Sequence, residues 1–358
     1  MLAFNRRRFL SAAAGSAAAF AIPAFAQPKG PPIADMHSHY GLIQRSLVFA
    51  NLGTAMRESD VRLLAWKIVS DARWIRGTST GIAQVREPAP GELADYFRLQ
   101  VERLREHIKK NALLLVRTQA DVDTAAKDGG GVVLAAEGAD FLEGKVAALD
   151  AAYASGLRHL QLVHYIRTPV GDFQTEKPVH GGLSAMGKDL VAACNAKGVL
   201  IDLAHATEDA VAQALELSKA PMIWSHSWVD DTPGNWEDRF GFLRRRLSVA
   251  SAKKIADKGG VVGLWALGLN RPGYGWSVVA RDKRAYAGEF VKLVKRIGAD
   301  HVAFGTDIEG VGSSWSVNDY EDVRAVVGHL EELGLDSASI EKVAFRNYAR
   351  VLREALRA

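Results

Sequence analysis

The chain has 358 residues, 48% hydrophobic and 24% charged, an ordinary globular composition able to bury one barrel-sized core or two smaller ones. Its formal net charge is +4, and setting aside Arg6, Arg7 and Arg8 leaves 42 of its 45 basic residues against 41 acidic ones. A chain so close to neutral has no electrostatic footprint for nucleic acid, which is not expected as a partner.

The first 26 residues read as an export signal. Asn5-Arg6-Arg7-Arg8-Phe9-Leu10 precedes an alanine-rich apolar run, residues 12–22, and Ala24-Phe25-Ala26 has the small-x-small form of a cleavage site. The run is too short for a permanent membrane span. Adjacent arginines followed by Phe-Leu resemble a twin-arginine signal, a route that exports folded proteins; a plain secretory signal is the alternative. Cleavage is expected after Ala26, leaving residues 27–358 as a single periplasmic domain. No lipid-anchoring cysteine follows the signal, so a soluble protein with no stable membrane anchor is expected. Cys194, the only cysteine, cannot form an intrachain disulfide and falls in a helical pattern where it reads as a small buried hydrophobe.

The first apolar run of the mature chain, Pro32-Ile33-Ala34, leads into Asp35-Met36-His37-Ser38-His39. Imidazoles at i and i+2 of an extended segment share a face and can reach one metal ion. Residues 42–58 have no clear period, residues 61–69 form a mostly apolar second strand, and residues 77–90 read as a Gly/Pro-rich loop. Leu93, Tyr96, Phe97, Val101, Leu104 and Ile108 recur at three- and four-residue steps, the stripe of an amphipathic helix. A short extended run, residues 112–116, leads to a helix over 120–127.

A rhythm of buried strand, loop and helix follows. Residues 131–136 end in Glu137, 159–163 in His164, 198–203 close to His205 and 221–225 in His226; residues 260–265 form a seventh run, and 301–306 end in Asp307. Helical patterns over 186–197, 208–218 and 249–258 lie between them. Strands apolar without alternation are buried on both faces, as in a parallel sheet covered by helices. Eight such units predict an α/β protein with the (β/α)8 TIM-barrel fold, an open doubly wound sheet being the alternative. No glycine-rich nucleotide motif opens a helix, so a nucleotide cofactor is not expected.

In a (β/α)8 barrel the C-terminal strand ends converge on one mouth, where active sites sit. His37, His39, Glu137, His164, His205, His226 and Asp307 all fall at those ends. Imidazole and carboxylate ligands suit zinc, with manganese, iron and cobalt also compatible. Five histidines and two carboxylates exceed the three protein ligands of one catalytic zinc, whereas two divalent metal ions bridged by a carboxylate and a hydroxide use the set well.

These segments resemble the membrane dipeptidase (renal dipeptidase) family of binuclear zinc peptidases within the amidohydrolase group. The resemblance runs through Asp35-Met36-His37, Glu137-Gly138, Leu162-Val163-His164, Gly182-Leu183-Ser184-Ala185-Met186-Gly187 and Leu200-Ile201-Asp202-Leu203-Ala204-His205. It continues through Ser225-His226-Ser227, Lys258-Gly259-Gly260-Val261-Val262 and Asp300-His301-Val302 to Gly305-Thr306-Asp307, ending at Asn347-Tyr348-Ala349-Arg350-Val351-Leu352. It implies that His37 and the residue at position 39 bind one metal, that His205 and His226 bind the second, and that Glu137 bridges them. It further implies that Asp307 moves the proton of the bridging water to the leaving amine, that His164 hydrogen-bonds the oxyanion, and that Arg245 clamps the substrate carboxylate. Oligomeric state is not legible in the sequence, although homodimers are common among the proteins it resembles.

The match breaks at identifiable places. The family's His-x-Asp is His37-Ser38-His39 here, one negative charge fewer. Its Thr-His-Asn is Val163-His164-Tyr165, which makes Tyr165 a candidate substrate contact, and its Gln-Phe-Trp strand is replaced by Leu64-Ala65-Trp66-Lys67. Both changes are expected at the pocket lining. Trp228, Trp236 and Trp276 lie in expected mouth loops, where they either cover a substrate or pack the loops. The function implied is hydrolysis of the amide bond of a dipeptide or related amino-acid derivative. The alternatives are N-acyl, ester or lactone hydrolysis, and a non-catalytic metal- or ligand-binding barrel.

Overall fold

The computed structural model describes residues 30–43, 51–78, 81–231, 242–267, 282–310 and 316–356. The export signal and its cleavage site, Trp236 and Trp276 lie outside the described residues. Eight strands carry the fold: β1 Ile33–Ser38, β2 Val61–Val69, β3 Gly131–Glu137, β4 Leu157–Gln161, β5 Leu200–Asp202, β6 Ile223–Ser227, β7 Val261–Leu264 and β8 Val302–Phe304. Each pairs in parallel with its neighbours in chain order, and β8 returns to β1 at Asp35↔Phe304. The ring is closed, a (β/α)8 barrel, and the open sheet is excluded. Leu114–Leu115, expected only as an extended run, adds a short parallel pairing alongside β3.

Alternation is hidden in these strands because both faces are buried, but it is present. Leu64, Trp66 and Ile68 of β2, Val132, Leu134 and Ala136 of β3, and Val262 and Leu264 of β7 face the helices in one large apolar cluster. Leu63 and Ala65, Val133 and Ala135, Leu200, Ile223, Val261 and Ala303 point the other way, into the barrel, where they pack with Tyr348, Val351 and Leu352 of the helix Asn347–Ala355. That helix closes the N-terminal end. Continuing the inward period toward the C-terminal end gives Lys67, Glu137, Gln161, Asp202 and Ser225, all buried. The inner face therefore changes from apolar to polar along the barrel axis.

The crossover helices form where the apolar stripe predicted them. In the helix Glu92–Lys110, Leu93, Phe97, Val101, Leu104 and Ile108 are buried. Cys194 is buried and unpaired within Ala185–Lys197. Thr118, Ser184, Thr207, Ser248 and Asp282 each accept a hydrogen bond from the backbone N–H three residues on, capping the helices that follow, contacts worth about 1 kcal/mol each.

Three local expectations are corrected. Leu52–Glu58, in the stretch without a period, is a helix capped by Asn51; it buries only Leu52, Gly53 and Met56, too short a stripe to register as periodic. Overlapping the expected loop 77–90, Ile75–Thr78 and Gly81–Gln84 pair as an antiparallel hairpin, the first strand largely exposed and the second half-buried, and neither carries an apolar alternation. Trp66 does not line the pocket: it packs outside the barrel against His107 and donates from Nε1 to the Tyr40 carbonyl at 3.0 Å.

Candidate active site

The seven strand-end residues singled out in the sequence come together at the C-terminal mouth, where the five histidines converge on the carboxylate of Glu137, the last residue of β3. Its Oε1 lies 3.4 Å from His37 Nε2, 3.5 Å from His164 Nε2, 3.3 Å from His205 Nε2 and 3.5 Å from His226 Nε2. Its Oε2 lies 3.1 Å from His39 Nε2. Asp307 Oδ1 completes the group at 3.4 Å from His37 Nε2 and 3.1 Å from His39 Nε2. His37, His39 and Glu137 form one set of mutually close ligand atoms, and Glu137, His164 and His205 form another.

The chain is built locally to aim these groups. The backbone N–H of Asp307 donates to the His37 carbonyl at 2.9 Å and that of His39 to Ile308 at 3.1 Å, stapling the ends of β8 and β1 together. His39 Nδ1 is held by the Lys67 carbonyl at 2.9 Å, which turns Nε2 into the site. Ser225 Oγ lies 2.8 Å from His37 Nδ1 and 2.9 Å from His226 Nδ1, so one hydroxyl orients two rings on different strands. His205 and Asp307 sit at φ 71° and 54°, left-handed backbone that non-glycine residues adopt at a cost of about 1–3 kcal/mol, a cost concentrated at functional sites.

The electrostatics follow from burial and from Glu137. Burial pushes His37 down to about 4, helped by the Lys67 ammonium. Burial also opposes a charge on His39, but hydrogen bonds to Asp307 and Glu137 win and raise it to about 10. His205 and His226 are held well below the ordinary imidazole range, by burial first and then by the Arg245 guanidinium and neighbouring imidazoles. Burial favours the neutral acid at Glu137, yet the surrounding imidazoles keep it an anion.

The donor set fits a divalent metal. Both ring nitrogens of the buried His205 lack a hydrogen-bond partner, although Nε2 is 3.3 Å from a Glu137 oxygen; a buried imidazole left so pointed at a carboxylate has the disposition of a ligand. His37 and His39 likewise aim their Nε2 atoms at each other across 3.1 Å, an arrangement that needs a shared cation or proton between them.

Arg245, fully buried, reaches the same centre. Its Nη2 is 2.9 Å from His226 Nε2, its Nη1 donates to Gln174 Oε1 at 2.6 Å, and its Nε has no hydrogen-bond partner. No carboxylate among the described residues forms an ion pair with it. An imidazole nitrogen has one lone pair, so His226 Nε2 cannot accept from Arg245 and ligate a metal at once. Tyr165 is buried with its ring 4.9 Å from that of His205. Trp228 is also buried, its ring tilted against that of Trp265 at 5.0 Å, and Trp265 lies 5.5 Å from the Arg245 guanidinium, so Trp228 packs against a neighbour of the site.

A second polar layer escaped the sequence reading. Lys67 pairs with Asp202 and reaches Gln161 Oε1 at 3.0 Å and Ser225 Oγ at 3.3 Å. Asp71 Oδ1 lies 2.7 Å from His164 Nδ1. The signal for Lys67 and Asp202 was a charged residue interrupting an otherwise apolar strand, at an inward position. Asp71, just beyond β2, carried no signal at all.

Fold and site together define a (β/α)8 barrel with a metal-competent imidazole–carboxylate centre at its mouth. The family model for membrane dipeptidases (peptidase family M19) matches residues 56–358, and the chain belongs to that family. Among curated proteins it is 30% identical over 237 residues to dipeptidase tcpJ of Claviceps purpurea, covering 62% of this chain and 50% of that protein. It is 28% identical to dipeptidase 3 of Mus musculus, covering 62% of this chain and 44% of that one. The matched region thus spans about half the length of these relatives. A Klebsiella pneumoniae protein encoded in the pqqA 5' region is 26% identical and matched over 97% of its length and 74% of this chain. The fold is shared with a metallopeptidase from Rhodobacter sphaeroides solved with a phosphinate mimic of L-Ala-D-Ala, at a TM-score of 0.74 and 22% identity, covering 91% of this chain and 99% of that one.

Proposed function

We propose that this protein is a dipeptidase that hydrolyses the amide bond of a dipeptide or related amino-acid derivative, using two divalent metal ions, zinc first among them. The observation that carries the reading is the convergence of five imidazole nitrogens within 3.5 Å of the two oxygens of Glu137, with Asp307 beside them. In this reading His37 and His39 hold one metal, His205 and His226 the other, and Glu137 serves both. Bound there, the metals supply an acidified water and polarise the scissile carbonyl.

The chain's own groups do the rest. Asp307 Oδ1 takes a proton from the attacking water and returns it to the amide nitrogen as the C–N bond breaks, so one water is consumed and an acid and an amine leave. His164 Nε2 faces the centre as the hydrogen-bond donor to the developing oxyanion, a contact worth several kcal/mol in a preorganised, buried site. Arg245, a buried guanidinium with no ion-pair partner among the described residues, takes the substrate's free carboxylate in a two-pronged contact. Tyr165 packs beside it on the substrate side.

The test is Asp307→Asn. Turnover of a panel of dipeptides of both stereochemistries is expected to vanish while metal content stays at two equivalents per chain. Retained turnover rejects the role of Asp307, and one equivalent or none in the wild type rejects the two-metal site. If only N-acyl, ester or lactone compounds in a parallel panel are hydrolysed, the chemistry stands and the substrate class changes. We also propose export through residues 1–26 by the twin-arginine route to the periplasm. A mature N-terminus at Gln27 in the periplasmic fraction, lost when Arg6, Arg7 and Arg8 are replaced by Lys, is the expected result.

A further inference from the structure

His164 does not set its own position. It follows β4 in the segment after Gln161, and its imidazole has two side-chain bonds whose angles must be set. Asp71, from a different strand end, removes that freedom. One carboxylate oxygen of Asp71 lies 2.7 Å from His164 Nδ1, and the other accepts the backbone N–H of Tyr165 at 3.0 Å.

Asp71 is itself clamped. The preceding Ser70 donates from its backbone to the Glu137 carbonyl at 3.1 Å, and its hydroxyl lies 2.9 Å from the carbonyls of Glu137 and Gly138 and 2.6 Å from Asp140 Oδ2. Ser70, Asp71 and Asp140 are all buried. The pair Ser70-Asp71 therefore bolts the end of β2 to the end of β3, which carries Glu137, and to the segment after β4, which carries His164 and Tyr165. Among the described residues the ring's other polar neighbour is Glu137 Oε1, 3.5 Å from Nε2.

We propose that Asp71 is a positioning residue for catalysis: by accepting from His164 Nδ1–H it fixes the ring so that Nε2, which as the oxyanion donor carries a hydrogen too, faces the carbonyl being hydrolysed. The chemistry is that of any imidazole oriented through its far nitrogen by a carboxylate, where the second contact decides which nitrogen is presented to the site. The inference rests on the reading of His164 as the oxyanion donor. It adds that a residue touching no substrate sets the efficiency of that donor.

The experiment combines kinetics with a readout that needs no substrate. In zinc-loaded protein labelled with nitrogen-15 in its histidines, the ring signals of His164, assigned by their loss in His164→Gln, should show a protonated Nδ1. Asp71→Ala should change that pattern while the signals of the other site histidines, the metal content and the melting temperature stay put. If Asp71→Ala does not fold, the near-isosteric Asp71→Asn replaces it. On the dipeptide hydrolysed fastest in the panel above, Asp71→Ala should lower kcat by about 10–100-fold with little change in KM. It should cost nothing more in a His164→Ala background, because two residues acting through one contact are not additive. An unchanged His164 signal, or an equal loss of kcat in both backgrounds, overturns the proposal. A changed signal in a protein that hydrolyses none of the panel upholds the positioning and rejects the dipeptidase reading instead.

Discussion

Replacing Lys67 by Met tests the layer beneath the metal-binding groups. Lys67 and Asp202 are both fully buried and form an ion pair in the middle of the barrel. Burial by itself would raise the Asp202 carboxyl, but the Lys67 ammonium and a contact with His159 hold it well below the usual carboxylate range. Methionine keeps the volume and deletes the charge, leaving Asp202 buried with only the N–H groups of Ala204 and Ser225, both at 3.0 Å, and His159 at 3.3 Å. Removing one partner of a buried pair costs about 3–5 kcal/mol, whereas replacing both is often near neutral. With about 2.1 cal/mol/K of unfolding entropy per residue, a domain of this size loses ~0.7 kcal/mol per kelvin, so the melting temperature should fall by about 4–7 °C. Scanning calorimetry of the metal-loaded protein measures it. Lys67→Met combined with Asp202→Leu should recover much of the loss. A second readout is metal affinity, because Lys67 also reaches the Ser225 hydroxyl that orients His37 and His226. A fall below about 1 °C with unchanged metal affinity would refute the idea that this pair supports the site.

Other perturbations probe different levels of the structure. Glu137→Gln removes the one anion facing all five imidazoles and should reduce bound metal from two equivalents to one or none by elemental analysis. Gly305→Ala would place a methyl group 1.6 Å from the Ser225 carbonyl oxygen; since backbone must move, destabilisation above about 3 kcal/mol is expected in urea unfolding, with weakened metal binding. In metal-free protein the His39 pKa is raised from 6.5 to about 10. A raised imidazole contributes stability that is complete below pH 6.5 and disappears as pH climbs through 10, so the metal-free protein should lose a few kcal/mol between pH 7 and pH 10. Metal loading should flatten that slope, because metal and proton compete for the same nitrogen; equal slopes in the two forms would contradict it.

How far each feature was legible depended on how local its physics is. The barrel strands announced themselves because burial on both faces demands unbroken apolar runs, and the crossover helices because one face must be apolar. The polar residues at the strand ends stood out against that background, which is why His37, His39, Glu137, His164, His205, His226 and Asp307 were identifiable. Membership of the membrane dipeptidase family was legible from the same segments and agrees with the family match over residues 56–358. Leu52–Glu58 and the hairpin Ile75–Thr78 with Gly81–Gln84 were not, since short elements with little buried surface leave no period.

Sequence alone determined which side chains stand at the mouth, because strand register is written in the apolar pattern and the chain's direction then decides which end each residue occupies. Only the tertiary structure decided how those side chains are held. Closing the ring brings β2 against β3 and sets Asp71 beside His164, 93 residues away. It also sets Lys67 under Asp202 and Ser225, and Arg245 against His226. These contacts join residues far apart in the chain, each of which looks ordinary among its own neighbours, and a hydrogen bond of about 3 Å depends on the packing of whole strands rather than on any local preference.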